Sequence, residues 1–107
     1  MIHHLTLGYL DLDATLLYRR PVVQKPLDMD VVVRVLRECG ASEEGETFRL
    51  GFAPVQFREG YIVCALWLPG AVGELTKQFA QRLQEETGCA AVDVACRQPV
   101  ELGRKKD

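Results

Sequence analysis

The chain has 107 residues, of which 48 % are hydrophobic and 26 % charged, enough for one packed domain (1–107) and too few for two independent cores. Its formal net charge is -2 and its Lys and Arg residues are dispersed, which argues against nucleic acid as a partner. No segment reaches the roughly 20 apolar residues of a membrane helix, and the N-terminus does not resemble a signal peptide. We therefore expect a cytoplasmic protein with no membrane partner, ending in a flexible tail at 101–107.

The cysteines form no pair with the short spacing that presents two thiolates to one zinc ion. His3 and His4 are sequence neighbours, which point to opposite faces of a strand. We therefore expect no metal site and no cofactor. Because no export signal is recognised, we also expect free thiols rather than disulfides at Cys39, Cys64, Cys89 and Cys96.

The first predicted element is a strand, because apolar and polar residues alternate from Ile2 to Leu10. The segment from Thr15 to Val23 is rich in β-forming residues. It predicts a strand that runs back as a hairpin partner, until Pro21 and Pro26 interrupt the pairing. Whether this strand joins the main sheet is left open.

A helix is predicted from Asp28 to Cys39, although its valines also suit a strand. Charged residues decide between the two, because they form one stripe of a helix: Asp30, Arg34, Arg37 and Glu38. Asp28 can cap the start of this helix, and Gly40 can adopt the left-handed conformation that ends it.

The acidic segment from Ala41 to Thr47 is predicted as a solvated loop, followed by a strand whose buried face carries Phe48, Leu50 and Phe52. Past Pro54 the alternation changes parity, which indicates a bulge or a bend. The strand from Tyr61 to Leu68 is apolar on both faces, as is typical of the middle of a sheet. A second helix ending at Gly88 and a last strand at 92–97 follow.

This order of elements favours a ferredoxin-like (split βαβ) α+β fold, because crossover connections are right-handed. In such a two-layer sandwich both helices cover one face of an antiparallel sheet. The segment from Thr15 to Val23 would add an N-terminal hairpin strand to that sheet.

Two helices leave the opposite face of the sheet, the far face, without a helical cover. The strand from Tyr61 to Leu68 nevertheless offers apolar side chains to both faces. We therefore expect a second copy of the chain to cover the far face, with Cys64, Leu66 and Trp67 at the dimer interface. The alternative is that the N-terminal hairpin folds over this face.

Strand alternation also predicts a polar group on the far face, consisting of His4, Thr6, Arg49, Asp93 and Arg97. In this assignment Phe52, Val92 and Val94 face the helices. Arginine binds carboxylate or phosphate through paired hydrogen bonds, so the polar group could hold a small anionic ligand. The alternative is that these residues are only the polar half of amphipathic strands, or ion pairs at a dimer interface.

The segment from Leu68 to Leu75, which reads Leu-Pro-Gly-Ala-Val-Gly-Glu-Leu, resembles the passage from strand through Pro-Gly into helix in ACT domains. The resemblance covers fewer than ten residues. It implies a ferredoxin-like fold, binding of small ligands such as amino acids, and pairing. Leu68 stands where that family has a polar or acidic residue, so no ligand-binding residue is transferred.

Hydrolytic catalysis needs a nucleophile, a base and a group that orients the base, and no such triad is visible. We therefore expect a non-enzymatic binding or interaction module. It would be a homodimer that contacts a protein or a small anionic ligand through its open sheet face or dimer cleft. The alternative is a small enzyme with an interface active site around His4, Arg49, Asp93 and Arg97.

Overall fold

The computed structural model describes residues 4–65 and 74–100, which form one small α+β domain with an antiparallel sheet. The helices in these ranges are α1 (Leu12–Tyr18), α2 (Met29–Glu38) and α3 (Glu74–Thr87). The strands are β1 (Leu5–Leu10), β2 (Val23–Lys25), β3 (Ser42–Glu44), β4 (Thr47–Leu50), β5 (Ala53–Phe57), β6 (Tyr61–Cys64), β7 (Ala90–Asp93) and β8 (Gln98–Pro99). No helix in the described ranges is long and apolar enough to cross a membrane.

The sheet follows the order β3–β4–β5–β6–β1–β7–β8, and each neighbouring pair is antiparallel. β2 pairs with the end of β1, where Leu10 lies opposite Val23. β6 lies between β5 and β1, so the predicted central position is confirmed for Tyr61–Cys64. The rest of that predicted strand, 66–68, lies outside the described residues.

The hydrophobic core lies between one face of the sheet and the helices α2 and α3. Alternate residues of the strands enter it, because successive side chains of a strand point to opposite faces. Its largest members include Leu5, Leu7, Leu36, Ile62, Phe79 and Leu83, all with no exposed surface. Burying each such side chain contributes about 1.5–3 kcal/mol to stability. α1 contributes no residue to this core cluster.

The helix predicted after Asp28 is confirmed as α2. The Asp28 carboxylate accepts a hydrogen bond from the backbone N–H of Asp30 at 3.0 Å, which caps the helix. Gly40, just beyond the helix, has a φ of +83°, which glycine adopts without steric penalty. α3 likewise ends just before Gly88, as predicted.

The prediction of a strand from Thr15 to Val23 is wrong over most of its length, because α1 continues to Tyr18 and residues 19–22 form a turn and coil. Asp11 begins this helix by accepting a hydrogen bond from the backbone N–H of Ala14 at 3.1 Å. The leucines that follow are good helix formers. Pairing with β1 starts only at Val23, so a short hairpin partner exists beyond the helix.

The predicted loop from Ala41 to Thr47 contains β3, which pairs with β4 across a turn at Gly45. A second turn separates β4 from β5, with Gly51 at a φ of +66° followed by Phe52. The Phe52 side chain is 88 % exposed, so the prediction that it faces the helices is wrong. This turn is also the physical cause of the change in parity near Pro54.

Candidate functional site

The register of the sheet defines which side chains share the far face. Directly opposed residues of antiparallel strands project to the same side. Thr6 lies between two core residues of β1 and therefore points away from the helices. One row across the far face consequently contains Gln56, Val63, Thr6, Val92 and Pro99.

The orientation of β7 differs from the predicted one. Ala91 lies opposite Leu7 and enters the core, whereas Val92 lies opposite Thr6 on the far face. Asp93, two residues after Ala91, therefore belongs to the side of the helices. Small and apolar residues occupy both faces of this strand, so the alternation of hydrophobicity could not determine its orientation.

The far face is open only in part. Thr6 is only 4 % exposed and Val92 is fully buried. The part of the far face on β1 and β7 is therefore buried within a single chain. The side chains on the other part are half-buried or exposed. This second part, the β4–β6 surface, consists of Arg49, Pro54, Gln56, Arg58, Tyr61 and Val63.

Two polar contacts involve residues of the β4–β6 surface. The Nε of Arg49 lies 3.2 Å from Oε1 of Glu44 on the neighbouring strand, so the charge of Arg49 is balanced within the chain. Arg58 donates a hydrogen bond from Nη2 to Oε1 of Gln56 at 2.7 Å. Half-buried apolar side chains thus lie beside polar groups that already have partners.

The five residues predicted to bind an anionic ligand do not form one site. Arg49 lies three strands from β1, which separates the two backbones by roughly 14 Å. His4 is exposed just before β1, and Arg97 is exposed in the turn between β7 and β8. The Asp93 carboxylate is buried and accepts a hydrogen bond from the Cys96 backbone N–H at 3.2 Å, so it stabilises this turn.

The four cysteines are free thiols with different environments. Cys64, predicted at a dimer interface, is enclosed in the core, where burial raises its pKa to about 12. Leu66 and Trp67, the other predicted interface residues, lie outside the described residues. Cys96 is exposed, and its hydrogen bond to the Asp93 carboxylate raises its pKa above the ordinary value. Among the described residues, no three His, Cys, Asp or Glu side chains are grouped as metal ligands.

The outer surface of the helical layer carries a network of ion pairs between α2 and α3. Its members are Arg34, Glu38, Arg82 and Glu86. The hydrogen bond from Arg34 is the main cause of the lowered pKa of Glu86. Ion pairs as exposed as these contribute little to stability, so the network indicates a surface adapted to water.

The exposed surface that sequence reasoning missed is on α1. Leu12, Leu17 and Tyr18 are 39 %, 68 % and 60 % exposed. The sequence predicts a strand from Thr15 to Val23 and a turn before it, and therefore does not indicate these residues as exposed positions of a helix. The signal that could have identified the helix is Asp11, a favoured N-cap residue directly before a leucine-rich run.

Comparisons with protein-family models, curated proteins and solved structures found no match to this chain. Most of the segment that resembles ACT domains, 68–73, lies outside the described residues. Its last two residues, Glu74 and Leu75, are the first of α3 as described. The function of this chain must therefore be inferred from the side chains on its own surfaces.

Proposed function

We propose that this chain is a non-enzymatic interaction module that forms a homodimer through its β4–β6 surface, on a ferredoxin-like core. The core would consist of β5–β6–β1–β7 with α2 and α3. Two features support this assignment: β6 is inserted between β1 and β5, and β1 between β6 and β7. A split βαβ fold contains two interlocked units of this kind. α1, β2, β3 and β4 would be additions to it.

One observation carries the proposal of association: an interior strand has half-buried apolar side chains on the face opposite the helices. Tyr61 and Val63 belong to β6, which has a neighbour on each side, and Pro54 lies on the adjacent β5. Arg49 and Gln56 lie at the edge of this apolar group. An apolar centre with a polar rim is the usual anatomy of a protein interface.

The ion pair of Arg49 is compatible with a second copy of the chain as the partner. Glu44 balances Arg49 on each subunit, so two copies of Arg49 can approach with little mutual repulsion. The side chains of the ion-pair network on α2 and α3 are exposed to water. A two-fold symmetric contact would bury the same apolar residues on both copies.

The test is to measure the molecular mass in solution for the wild type and two matched variants. Val63→Arg places a charge in the centre of the β4–β6 surface. Val33→Arg makes the same change at a half-buried valine of α2. We expect a dimer for the wild type and for Val33→Arg, and a monomer for Val63→Arg. Circular dichroism checks that both variants are folded.

Two results would contradict dimerisation through this surface. The first is a wild type that remains monomeric at tens of micromolar. The second is a folded Val63→Arg variant with the mass of the wild-type dimer. Catalysis around His4, Arg49, Asp93 and Arg97 has less support, because Asp93 lies on the helix side and Arg49 lies three strands from β1.

A further inference from the structure

Residues 11–22 connect β1 to β2, and a backbone hydrogen bond joins the two ends of this connection. The backbone N–H of Asp11 donates a hydrogen bond to the carbonyl of Val22 at 2.9 Å. The N–H of Val22 donates in turn to Oγ1 of Thr15 at 3.0 Å, and Thr15 is completely buried. α1, within this connection, is therefore held in a defined position beside the sheet.

Three large apolar side chains of α1 are exposed. Leu17 and Tyr18 are 68 % and 60 % exposed, and Leu12 is 39 % exposed. None of the three belongs to the core cluster. A concentration of large apolar side chains on a rigid element of the surface is typical of an interaction site.

Two arginines follow these residues directly. The Arg20 guanidinium lies 5.8 Å from the centroid of the Tyr18 ring. Neither Arg19 nor Arg20 forms an ion pair in the part of the chain that the structure describes. The arginines of the helical layer, by contrast, bind glutamates.

Arg19 also occupies an unusual backbone position. It ends α1 with a φ of 56° and a ψ of 38°, a left-handed conformation normally taken by glycine or asparagine. A long cationic side chain at this position destabilises the fold slightly and makes no ion pair in return. Non-glycine residues in such strained conformations cluster at active sites and ligand-binding segments.

We propose that Leu12, Leu17, Tyr18, Arg19 and Arg20, the α1 surface, bind an acidic protein segment that carries an apolar side chain. The guanidinium groups would bind carboxylates, and the leucines and tyrosine would cover the apolar group. This proposal does not depend on the β4–β6 surface, which lies on different elements.

The test measures binding of a random copolymer of glutamate and tyrosine, with poly-L-glutamate as the purely acidic comparison. We expect the copolymer to bind more tightly than poly-L-glutamate, and added salt to weaken both. Arg19→Gln with Arg20→Gln should weaken copolymer binding at least ten-fold. Leu17→Ser with Tyr18→Ser should reduce the affinity for the copolymer to that for poly-L-glutamate.

The control for charge is Arg37→Gln with Lys77→Gln, which removes two positive charges from the helical layer. Loss of binding as large in this control as in the Arg19 and Arg20 variant would overturn the proposal, because the attraction would be unspecific. Binding to anionic phospholipid vesicles without binding to the copolymer would overturn it in favour of a membrane surface. Conversion of a dimer to a monomer by the Leu17 and Tyr18 variant would overturn it in favour of self-association.

Discussion

Replacing Arg19 by glycine should stabilise the protein, which is unusual for the removal of a long side chain. The reason is the left-handed backbone of Arg19, whose φ is 56°. In this conformation the Cβ atom of an L-residue approaches the following carbonyl oxygen. Glycine has no Cβ, and among the described residues the wild-type side chain makes no ion pair that would be lost.

The magnitude follows from two opposing terms. A left-handed conformation costs an L-residue about 1–2 kcal/mol. Glycine loses more conformational freedom on folding, which costs roughly 0.5–1 kcal/mol. The difference spans about 0–1.5 kcal/mol, and its middle value predicts that Arg19→Gly raises the free energy of unfolding by about 0.75 kcal/mol. For a domain of this size, that raises the melting temperature by about 3 °C.

Urea unfolding of three variants measures this effect. Arg97→Gly should be stabilised similarly, because Arg97 has a φ of 55° in the turn after β7. Arg19→Ala keeps the Cβ atom and should not gain this stability. The conformational explanation is refuted if Arg19→Gly is no more stable than the wild type, or if Arg19→Ala is stabilised equally.

Three further changes test the packing, chemistry and capping of the fold. Gly8→Ala should lower the free energy of unfolding by about 1–3 kcal/mol, because an added Cβ would lie 2.9 Å from the Cβ of Tyr61 on the adjacent strand; an unchanged urea midpoint would contradict this. Asp93→Asn should lower the pKa of Cys96, because it removes the carboxylate that favours the protonated thiol. Alkylation of Cys96 should then be faster at mildly alkaline pH. An unchanged dependence of the alkylation rate on pH would contradict this assignment. Asp28→Ala should lower the free energy of unfolding by about 1 kcal/mol by removing the N-cap of α2, and a loss below a few tenths of that value in urea unfolding would show that the cap contributes little.

The elements predicted correctly are those whose signals are local. α2 was recognised from its N-cap at Asp28 and from charged residues at helical spacing, both contained within a dozen positions. α1 was missed because its leucines and tyrosine also suit a strand. A hydrogen bond from Val22 to the buried Thr15 hydroxyl, seven residues away, accompanies the helical conformation.

The candidate surfaces could be predicted only in outline. The expectation of an uncovered sheet face came from the predicted strand from Tyr61 to Leu68, which is apolar on both faces. Of the interface residues predicted from it, Cys64 lies in the core. The predicted polar group is divided between the two sides of the sheet, because the register of β7 places Asp93 on the helix side. The exposure of Phe52 could not be predicted from the sequence either, because it depends on where β4 ends and the turn begins.

The sequence by itself determined where α2, α3 and the central strands form, because caps, helical spacing and alternation act between residues a few positions apart. The tertiary structure alone decided which face each residue of β7 occupies, how Arg34 meets Glu86, and where α1 is held beside the sheet. Those outcomes depend on strand register and helix packing. Both bring together residues that are distant in the chain, and neither produces a periodic pattern in the sequence.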